Sequence, residues 1–391
     1  MAPNPAKTQA RTQSFAVKFA LLAIAAMLAP SLSPARSTSK HKSAHAARRK
    51  PVRAIRSTRH RYRHYYRGVP TYMADPAIGD DSRFDDPIVR QAALDAIGRQ
   101  NGSVVAVDPS TGRILTIVNQ KLAYSAGFEP CSTTKPIIAV AALEKGIVTP
   151  DTMIKVGRRR YMDMTEALAH SNNAFFEELG RRLGFDNVWH YDHVFGLGER
   201  AGYEIAGEQP GFLPEKPPVY GGVARMCSFG EGIKITPLQL AAVVSAIANG
   251  GTMYYLQYPA TEAGAQDFAP RVRRTLPIAP LLPELRQGML AAVLYGTARQ
   301  SNDPEGEQTL GKTGTCNDET KGGRLGWFAS YADQDHPKLV VVVLLRGGAH
   351  IVSGPHAADV AGKIYHDLYQ HNYFADKTSD QPVTVAADSE R

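Results

Sequence analysis

The sequence SVVAVDPSTGRILTIV occupies residues 103–118 and points to the fold class of the chain. Ser103 to Asp108 and Arg113 to Val118 are rich in β-branched residues, which favour strands. Between them, Pro109-Ser110-Thr111-Gly112 is a turn sequence. A turn this short joins neighbouring antiparallel strands, so the stretch predicts a β-hairpin.

A second hairpin is predicted near the other end of the chain, where Leu325 to Tyr331 and Lys338 to Leu345 flank a polar turn at 333–337. Helical patterns occur at 88–97, 136–144, 164–183, 237–249, 281–294 and 355–369. Strands from both chain ends with helices between them predict an α+β fold. We expect one antiparallel sheet of about five strands flanked by helices, together with an all-helical subdomain.

Composition excludes several classes of protein. The chain has 391 residues, of which 43% are hydrophobic, so it can form one large or two ordinary globular domains and is neither wholly disordered nor collagen-like. Three cysteines are too few for a disulfide-built scaffold, although one bridge remains possible.

The charge of the chain is unevenly distributed. Residues 1–67 contain 15 Lys and Arg and no acid, which leaves 30 basic and 37 acidic residues after Gly68 and a net charge of −7 for the body. Residues 1–35 resemble an export signal, either cleaved or kept as an anchor, because three basic residues precede a short apolar run and a small-residue end. We therefore expect an extracytoplasmic location, in the periplasm or cell envelope.

Residues 36–85 are predicted to be a basic, disordered linker, 86–371 the folded domain, and 372–391 a disordered tail. Residues 36–67 hold twelve Lys and Arg. On an exported chain their expected counter-charges are anionic lipid headgroups at a membrane surface or anionic wall polymers. Nucleic acid is not the expected partner.

The first motif whose side chains could take part in a reaction is Ser132-Thr133-Thr134-Lys135, followed by Pro136. Proline is tolerated in the first turn of a helix, so Ser132 is predicted to lie at a helix N-terminus. One helical turn separates Ser132 from Lys135 and places hydroxyl and amine on the same face. A lysine can activate a serine only if its pKa is lowered, and a capping serine alone would explain the pattern equally well.

The second motif is His170-Ser171-Asn172-Asn173, inside a helical stretch. If its face meets Ser132, Ser171 could relay a proton and Asn173 could bind a substrate amide. A helix N-cap at Ser171 or Asn172 is the structural alternative.

The third motif is Gly311-Lys312-Thr313-Gly314-Thr315. Together with the preceding residues it matches the phosphate-binding loop as GEQTLGKT at 306–313. The polar flanks supply neither the buried strand nor the helix that such a loop requires. We therefore predict an exposed strand from Leu310 to Cys316, and no motif indicates a metal or an organic cofactor.

S-x-x-K, S-x-N and K-T-G in this order resemble the signature of the penicillin-recognising serine acyltransferases. The sequence is identified as a member of the penicillin-binding transpeptidase family across residues 86–370. Further blocks that carry the resemblance are VDPSTGRIL at 107–115, EPCSTTKP at 129–136, FGLG at 195–198, GEQPG at 207–211, SFGEG at 228–232, ITPLQL at 235–240, GTA at 296–298 and WFA at 327–329.

The resemblance implies a β-lactamase/transpeptidase-like fold and a role for each motif residue. Ser132 would attack the carbonyl between the two D-alanines of a peptidoglycan stem peptide, with Lys135 as its base. Ser171 and Lys312 would pass the proton to the departing D-alanine. The remaining implied roles are substrate binding by Asn173, Thr313, Gly314 and Thr315, and an oxyanion hole formed by the N–H groups of Ser132 and Thr315.

Two cysteines depart from the family pattern. Cys131 stands where the family usually has glycine, and Cys316 lies two residues after Gly314. Because the K-T-G strand of the family runs beside the nucleophile helix, the resemblance implies a Cys131–Cys316 disulfide, similar to one in some class A β-lactamases. Cys227 is then expected to be a small buried side chain.

Several functions within and outside this family remain open. The main expectation is a peptidoglycan D,D-transpeptidase that binds stem peptides and β-lactam antibiotics. A class A β-lactamase would need a deacylating glutamate, for which Glu208 is the nearest candidate, although its GEQPG context is of transpeptidase type. The 85 residues before the domain are expected to hold neither a glycosyltransferase nor a long pedestal, so a D,D-carboxypeptidase also stays open. A non-catalytic penicillin- or wall-binding protein is the alternative of another kind.

Overall fold

The computed structural model describes residues 68–259, 261–318, 322–333, 336–348 and 350–375. The predicted export signal, residues 36–67 of the predicted linker and residues 376–391 of the predicted tail lie outside the described residues. Within the described ranges, no helix is both long and apolar enough to cross a membrane.

The main feature is a five-stranded antiparallel sheet with the strand order β2-β1-β9-β8-β7. Its strands are β1 (Gly102–Val107), β2 (Ile114–Val118), β7 (Thr309–Asn317), β8 (Arg324–Ala332) and β9 (Leu339–Gly347). Val105 of β1 pairs with Val342 of β9, which joins the N-terminal hairpin to the C-terminal strands. The predicted α+β fold with a sheet of about five strands is confirmed.

Several helices pack on the two faces of this sheet, and ten are present among the described residues. They are α1 (Pro87–Ile97), α2 (Gln120–Ala123), α3 (Lys135–Glu144), α4 (Met164–Ala169), α5 (Asn173–Val194), α6 (Gly222–Phe229), α7 (Pro237–Ala248), α8 (Glu262–Gln266), α9 (Leu282–Leu294) and α10 (Gly354–Gln370). Two short hairpins, β3 (Ile154–Lys155) with β4 (Tyr161–Met162) and β5 (Thr252–Tyr254) with β6 (Val272–Thr275), complete the described elements.

The core lies in two layers, one on each side of the sheet. Val104 and Val343 pack with α1 and α10 on one face, whereas Val105 and Val342 pack with α7 on the other, in a cluster that continues into α3 and α5. The central strand β9 is therefore buried on both faces, which explains why it reads LVVVVLL without alternation.

The predicted helix 164–183 is interrupted in the structure. Helix α4 ends at Ala169, Ser171 adopts a positive φ of 53°, and α5 begins at Asn173. Asn172 caps α5 by accepting a hydrogen bond from the Phe175 N–H. The expectation of one continuous helix is wrong. A single residue with a left-handed backbone interrupts the helix but leaves the helical spacing of the apolar residues intact, so the sequence pattern does not reveal it.

Residues 68–85, predicted as the end of the linker, lie against the body. The carboxylate of Asp80 accepts hydrogen bonds from the N–H groups of Asn119 and Gln120 at 2.9 and 2.8 Å and contacts Arg90 at 3.1 Å. Tyr373, predicted in the tail, donates a hydrogen bond to Asp86 at 2.8 Å. The folded body thus extends past both of its predicted limits. The apolar pattern set those limits, whereas side-chain hydrogen bonds hold the additional residues.

Candidate active site

The predicted nucleophile lies in a tight turn before a buried helix. Residues Cys131–Thr134 form a 3₁₀ turn that leads directly into α3. Eight of the ten residues of α3 are buried, so the helix passes through the core and carries Lys135 with it. Ser132 is partly exposed, and its hydroxyl donates to the Ser228 carbonyl oxygen at 3.4 Å.

Lys135 is fully buried and makes three hydrogen bonds. Its Nζ donates to the carbonyl oxygen of Ser171 at 2.7 Å, to Ser171 Oγ at 3.1 Å and to Asn173 Oδ1 at 2.8 Å. Burial, and secondarily the charge of Lys312, holds the pKa of this amine well below its usual range. Lowering the pKa of an amine favours its neutral form, which is the form that can act as a base.

Lys312 approaches the same serine from β7. Its Nζ donates to Ser171 Oγ at 2.8 Å and to the Thr313 carbonyl oxygen at 2.9 Å. Burial lowers the pKa of Lys312 to about 7. The hydroxyl of Ser171 therefore lies between two buried amines whose pKa values are both lowered.

The bend between α4 and α5 gives Ser171 this position. A positive φ at a non-glycine residue costs of order 1–3 kcal/mol, and it persists only where surrounding contacts hold it. The two lysine amines and the Asn172 cap supply those contacts. The helix N-cap that was the structural alternative is thus formed by Asn172, and the adjacent Ser171 hydroxyl contacts both lysine amines.

Strand β7 forms one side of the site at the edge of the sheet. A Cβ atom on Gly314 would lie 2.9 Å from the Pro130 carbonyl oxygen, so only glycine allows the strand to pack this closely on the nucleophile turn. Thr313 Oγ1 lies 2.6 Å from Thr297 Oγ1, and Thr315 Oγ1 accepts the Gly354 N–H at 2.7 Å.

A disulfide ties this strand to the nucleophile turn. Cys131 and Cys316 are bonded, with Cα atoms 5.6 Å apart, and Cys131 has a φ of +54°. Cys227 is free and buried, and burial raises the pKa of its thiol.

The structure brings all three predicted motifs together. Ser132 and Lys135 come from the turn and α3, Ser171 and Asn173 from the α4–α5 bend, and Lys312 from β7. Sequence reasoning assigned no role to Thr297 or to the Ser228 carbonyl, although both lie in sequence blocks that carry the resemblance. Among the described residues no group of three or more His, Cys, Asp or Glu could hold a metal ion.

Glu208, the candidate deacylating residue of the β-lactamase alternative, binds backbone N–H groups. Its side chain is buried, and its carboxylate accepts the N–H of Ala201 at 2.8 Å and that of Gly202 at 2.9 Å. Burial nevertheless raises the pKa of Glu208, since these bonds offset its desolvation only in part.

An edge strand with a lysine, a glycine and two threonines thus lies beside a turn that carries a serine and a buried lysine. The sequence model described as "Penicillin binding protein transpeptidase domain" matches residues 102–370. The chain belongs to this family.

Similar proteins include the stage V sporulation protein D of Bacillus subtilis strain 168, which is 30% identical over 67% of this chain and 44% of its own length. Penicillin-binding protein PbpB of Mycolicibacterium smegmatis is 25% identical over 83% of this chain and 59% of its own. The peptidoglycan D,D-transpeptidase MrdA of Acinetobacter baumannii is 24% identical over 74% and 54%. The chain thus spans about half the length of these relatives.

Solved structures share the fold. The TP domain of penicillin-binding protein 3 from Burkholderia pseudomallei superposes with a TM-score of 0.63 at 22% identity, covering 80% of this chain and all of that one. The D,D-transpeptidase domain of a peptidoglycan glycosyltransferase from Eggerthella lenta gives a TM-score of 0.58 at 20% identity, covering 73% and 82%.

Proposed function

We propose that this chain is a peptidoglycan D,D-transpeptidase that forms an acyl-enzyme on Ser132 and binds penicillin covalently. The observation that carries the proposal is the Ser171 hydroxyl, which accepts hydrogen bonds from the two buried amines of Lys135 and Lys312. The arrangement suits a proton path between the nucleophile and the leaving group. The relative MrdA is named a peptidoglycan D,D-transpeptidase, which agrees with this chemistry.

In the acylation step, Ser132 Oγ attacks the carbonyl carbon between two D-alanines while the neutral amine of Lys135 takes its proton. A C–O bond forms, and the C–N bond to the terminal D-alanine breaks. Ser171 and Lys312 pass a proton to the departing nitrogen, which leaves as an amine. A β-lactam would react at its ring carbonyl in the same way, but its nitrogen stays attached.

The second half-reaction reverses the first with another amine. The acceptor amine attacks the Ser132 ester, its proton returns to the serine oxygen through Lys135, and a new amide is released. The N–H groups of Ser132 and Thr315 would stabilise the oxyanion, each contributing about 3–4 kcal/mol.

The substrate peptide would lie along β7. This strand is at the edge of the sheet, so an extended peptide could pair with its outer side. Asn173 would bind the peptide amide, and the hydroxyls of Thr313 and Thr315 would bind the terminal carboxylate. Gly314 contributes by keeping the strand close to the nucleophile turn.

The carboxylate of Glu208 weighs against the β-lactamase alternative. Both of its oxygens are bonded to backbone N–H groups, so it is poorly placed to activate a deacylating water. A D,D-carboxypeptidase would use the same acylation machinery and differ only in releasing the ester to water. A non-catalytic wall-binding protein would not need two buried lysines on one serine.

The protein is proposed to act outside the cytoplasm, in the cell envelope, reached by the predicted signal at residues 1–35. The Cys131–Cys316 disulfide supports this location, because such bonds persist mainly in oxidising compartments. Residues 36–67 are proposed to bind anionic lipid headgroups or wall polymers through their twelve basic side chains.

The decisive experiment mixes the purified protein with a fluorescent penicillin and locates the adduct by peptide mass spectrometry, with Ser132→Ala as the control. We expect a long-lived adduct on Ser132. A stem peptide is then supplied with and without an amine acceptor, and an amide product identifies a transpeptidase. Adduct loss within seconds would indicate a β-lactamase, and a folded protein without adduct would refute the acyl-enzyme mechanism.

A further inference from the structure

Three exposed side chains form a cluster at the edge of the active site, which we call the rim cluster: Glu166, His170 and Tyr295. The Tyr295 hydroxyl donates to Glu166 Oε1 at 2.7 Å, and His170 Nε2 lies 3.4 Å from Glu166 Oε2. The rings of His170 and Tyr295 are tilted against each other, with centroids 5.9 Å apart. The side chains of Glu166 and His170 are 43% and 40% exposed, so the carboxylate remains accessible to a ligand.

The rim cluster belongs to the two segments that form the active site. His170 directly precedes Ser171, and Tyr295 is two residues before Thr297. The Thr297 N–H donates to the Ala169 carbonyl oxygen at 3.0 Å, and its hydroxyl lies 2.6 Å from that of Thr313. The cluster therefore adjoins the end of the site where Thr313 stands.

Neighbouring carboxylates make this edge of the site negative. Asp163 caps α4 by accepting the Glu166 N–H at 2.8 Å, and Glu284 lies 3.4 Å from the hydroxyl of Thr165. The hydrogen bond with Glu166, followed by burial and the charges of Glu166 and Asp163, raises the pKa of Tyr295 to about 12. A cationic ligand would be attracted to this edge.

The proposed acyl-transfer reaction requires an amine to approach the same edge of the site. Attack on the acyl-enzyme by an amine is the reverse of D-alanine release, so the incoming amine approaches from the side on which the leaving amine departed. The leaving D-alanine carries the carboxylate that Thr313 and Thr315 are proposed to hold. The acceptor amine thus arrives at the Thr313 end, beside the rim cluster, and an alkyl amine is mostly an ammonium ion at pH 7.

We propose that Glu166, positioned by the Tyr295 hydroxyl, is a specificity-determining residue that binds the ammonium group of the acyl acceptor. The inference rests on the proposed transpeptidase function and assigns the residue that binds the acceptor, an alkyl amine. The ammonium pairs with Glu166, loses one proton to water, and attacks the ester as the neutral amine. The new C–N bond forms as the bond to Ser132 Oγ breaks, and the second proton reaches that oxygen through Lys135.

The test compares Glu166→Gln with the wild type for two acceptors, Nα-acetyl-lysine amide and hydroxylamine, which is largely uncharged at pH 7. A stem-peptide donor is supplied, and the ratio of transfer to hydrolysis is measured by mass spectrometry. For the lysine acceptor, the ratio in Glu166→Gln should fall about two- to fivefold, the range of one exposed ion pair. The hydroxylamine ratio and the rate of acylation by fluorescent penicillin should stay at the wild-type values.

Two further variants separate a specific role from a structural one. Tyr295→Phe should lower the lysine ratio by a smaller factor, because Glu166 loses one hydrogen bond but keeps its charge. Glu262→Gln, which changes an exposed glutamate on α8, should leave every ratio unchanged.

A Glu166→Gln protein that keeps the wild-type lysine ratio overturns the inference alone. An equal fall for both acceptors, or slower acylation by penicillin, also overturns it, because either result reports a structural disturbance. If the wild type is acylated but transfers to neither amine, the transpeptidase proposal fails together with the inference.

Discussion

The pH dependence of acylation tests the proton path most directly. Burial lowers the pKa of Lys312 to about 7, and the pKa of Lys135 is lowered by burial and by the neighbouring charge of Lys312. Both amines contact Ser171 Oγ. In the proposed acylation step, Lys135 must be neutral to accept the Ser132 proton, and Lys312 must be protonated to supply the leaving nitrogen.

The rate of acylation by a fluorescent penicillin should therefore fall on the alkaline side of neutrality. With a pKa of about 7, the protonated fraction of Lys312 drops from about one half at pH 7 to about 1% at pH 9, which predicts a loss of about 50-fold. Lys312→Met should remove this alkaline limb and lower the rate at pH 7 by about 10²- to 10⁴-fold, the usual contribution of acid–base catalysis.

The assay measures the second-order rate constant of adduct formation between pH 5.5 and 9.5, with circular dichroism at each pH to establish that the protein stays folded. Lys121→Met, which changes an exposed lysine on α2, is the control and should keep the wild-type profile. A rate that is constant from pH 6.5 to 9.5 in folded protein would refute the assignment of Lys312 as the proton donor.

Three further predictions concern packing, the disulfide and a buried carboxyl. Gly314→Ala should reduce acylation by at least tenfold while the protein stays folded, since its Cβ would press β7 away from the nucleophile turn; penicillin labelling with a thermal melt checks this. Cys131 and Cys316 should resist alkylation until the protein is reduced, and reduction should lower the free energy of unfolding by up to about 5 kcal/mol for a loop of 185 residues, measured by urea unfolding. Asp192 is fully buried without a hydrogen-bond partner for either oxygen among the described residues, and burial raises its pKa to about 8. The unfolded chain loses this proton near pH 4 and the folded chain only near pH 8, so stability should decline across that window; Asp192→Asn should remove this part of the decline, and a wild-type melting temperature that differs from the variant's by the same amount at pH 5 and pH 8.5 would contradict it.

Part of the active site follows from local spacing. One helical turn separates Ser132 from Lys135, and the K-T-G segment forms the predicted strand, although six of the nine residues of β7 are buried rather than exposed. The bend at Ser171 does not follow from the apolar pattern around it, because its left-handed backbone is held by lysines that come from α3 and β7. A local pattern carries no information about such distant contacts.

The rim cluster illustrates the same limit. Glu166 and His170 are one turn apart on the sequence, and an ordinary surface ion pair would explain them. Their contacts with Tyr295, which lies 129 residues after Glu166, depend on the packing of α4 against α9. Sequence reasoning therefore gave no reason to single out Glu166.

The sequence by itself determined the α+β class, the strands of both hairpins and the three motifs, because periodicity and turn residues act over a few neighbours. Only the tertiary structure decided that residues 68–85 belong to the body and that Lys135 and Lys312 share one hydroxyl. Burial lowers the pKa values of both lysines, and the charge of Lys312 lowers that of Lys135 further; these are properties of the packed core rather than of any segment.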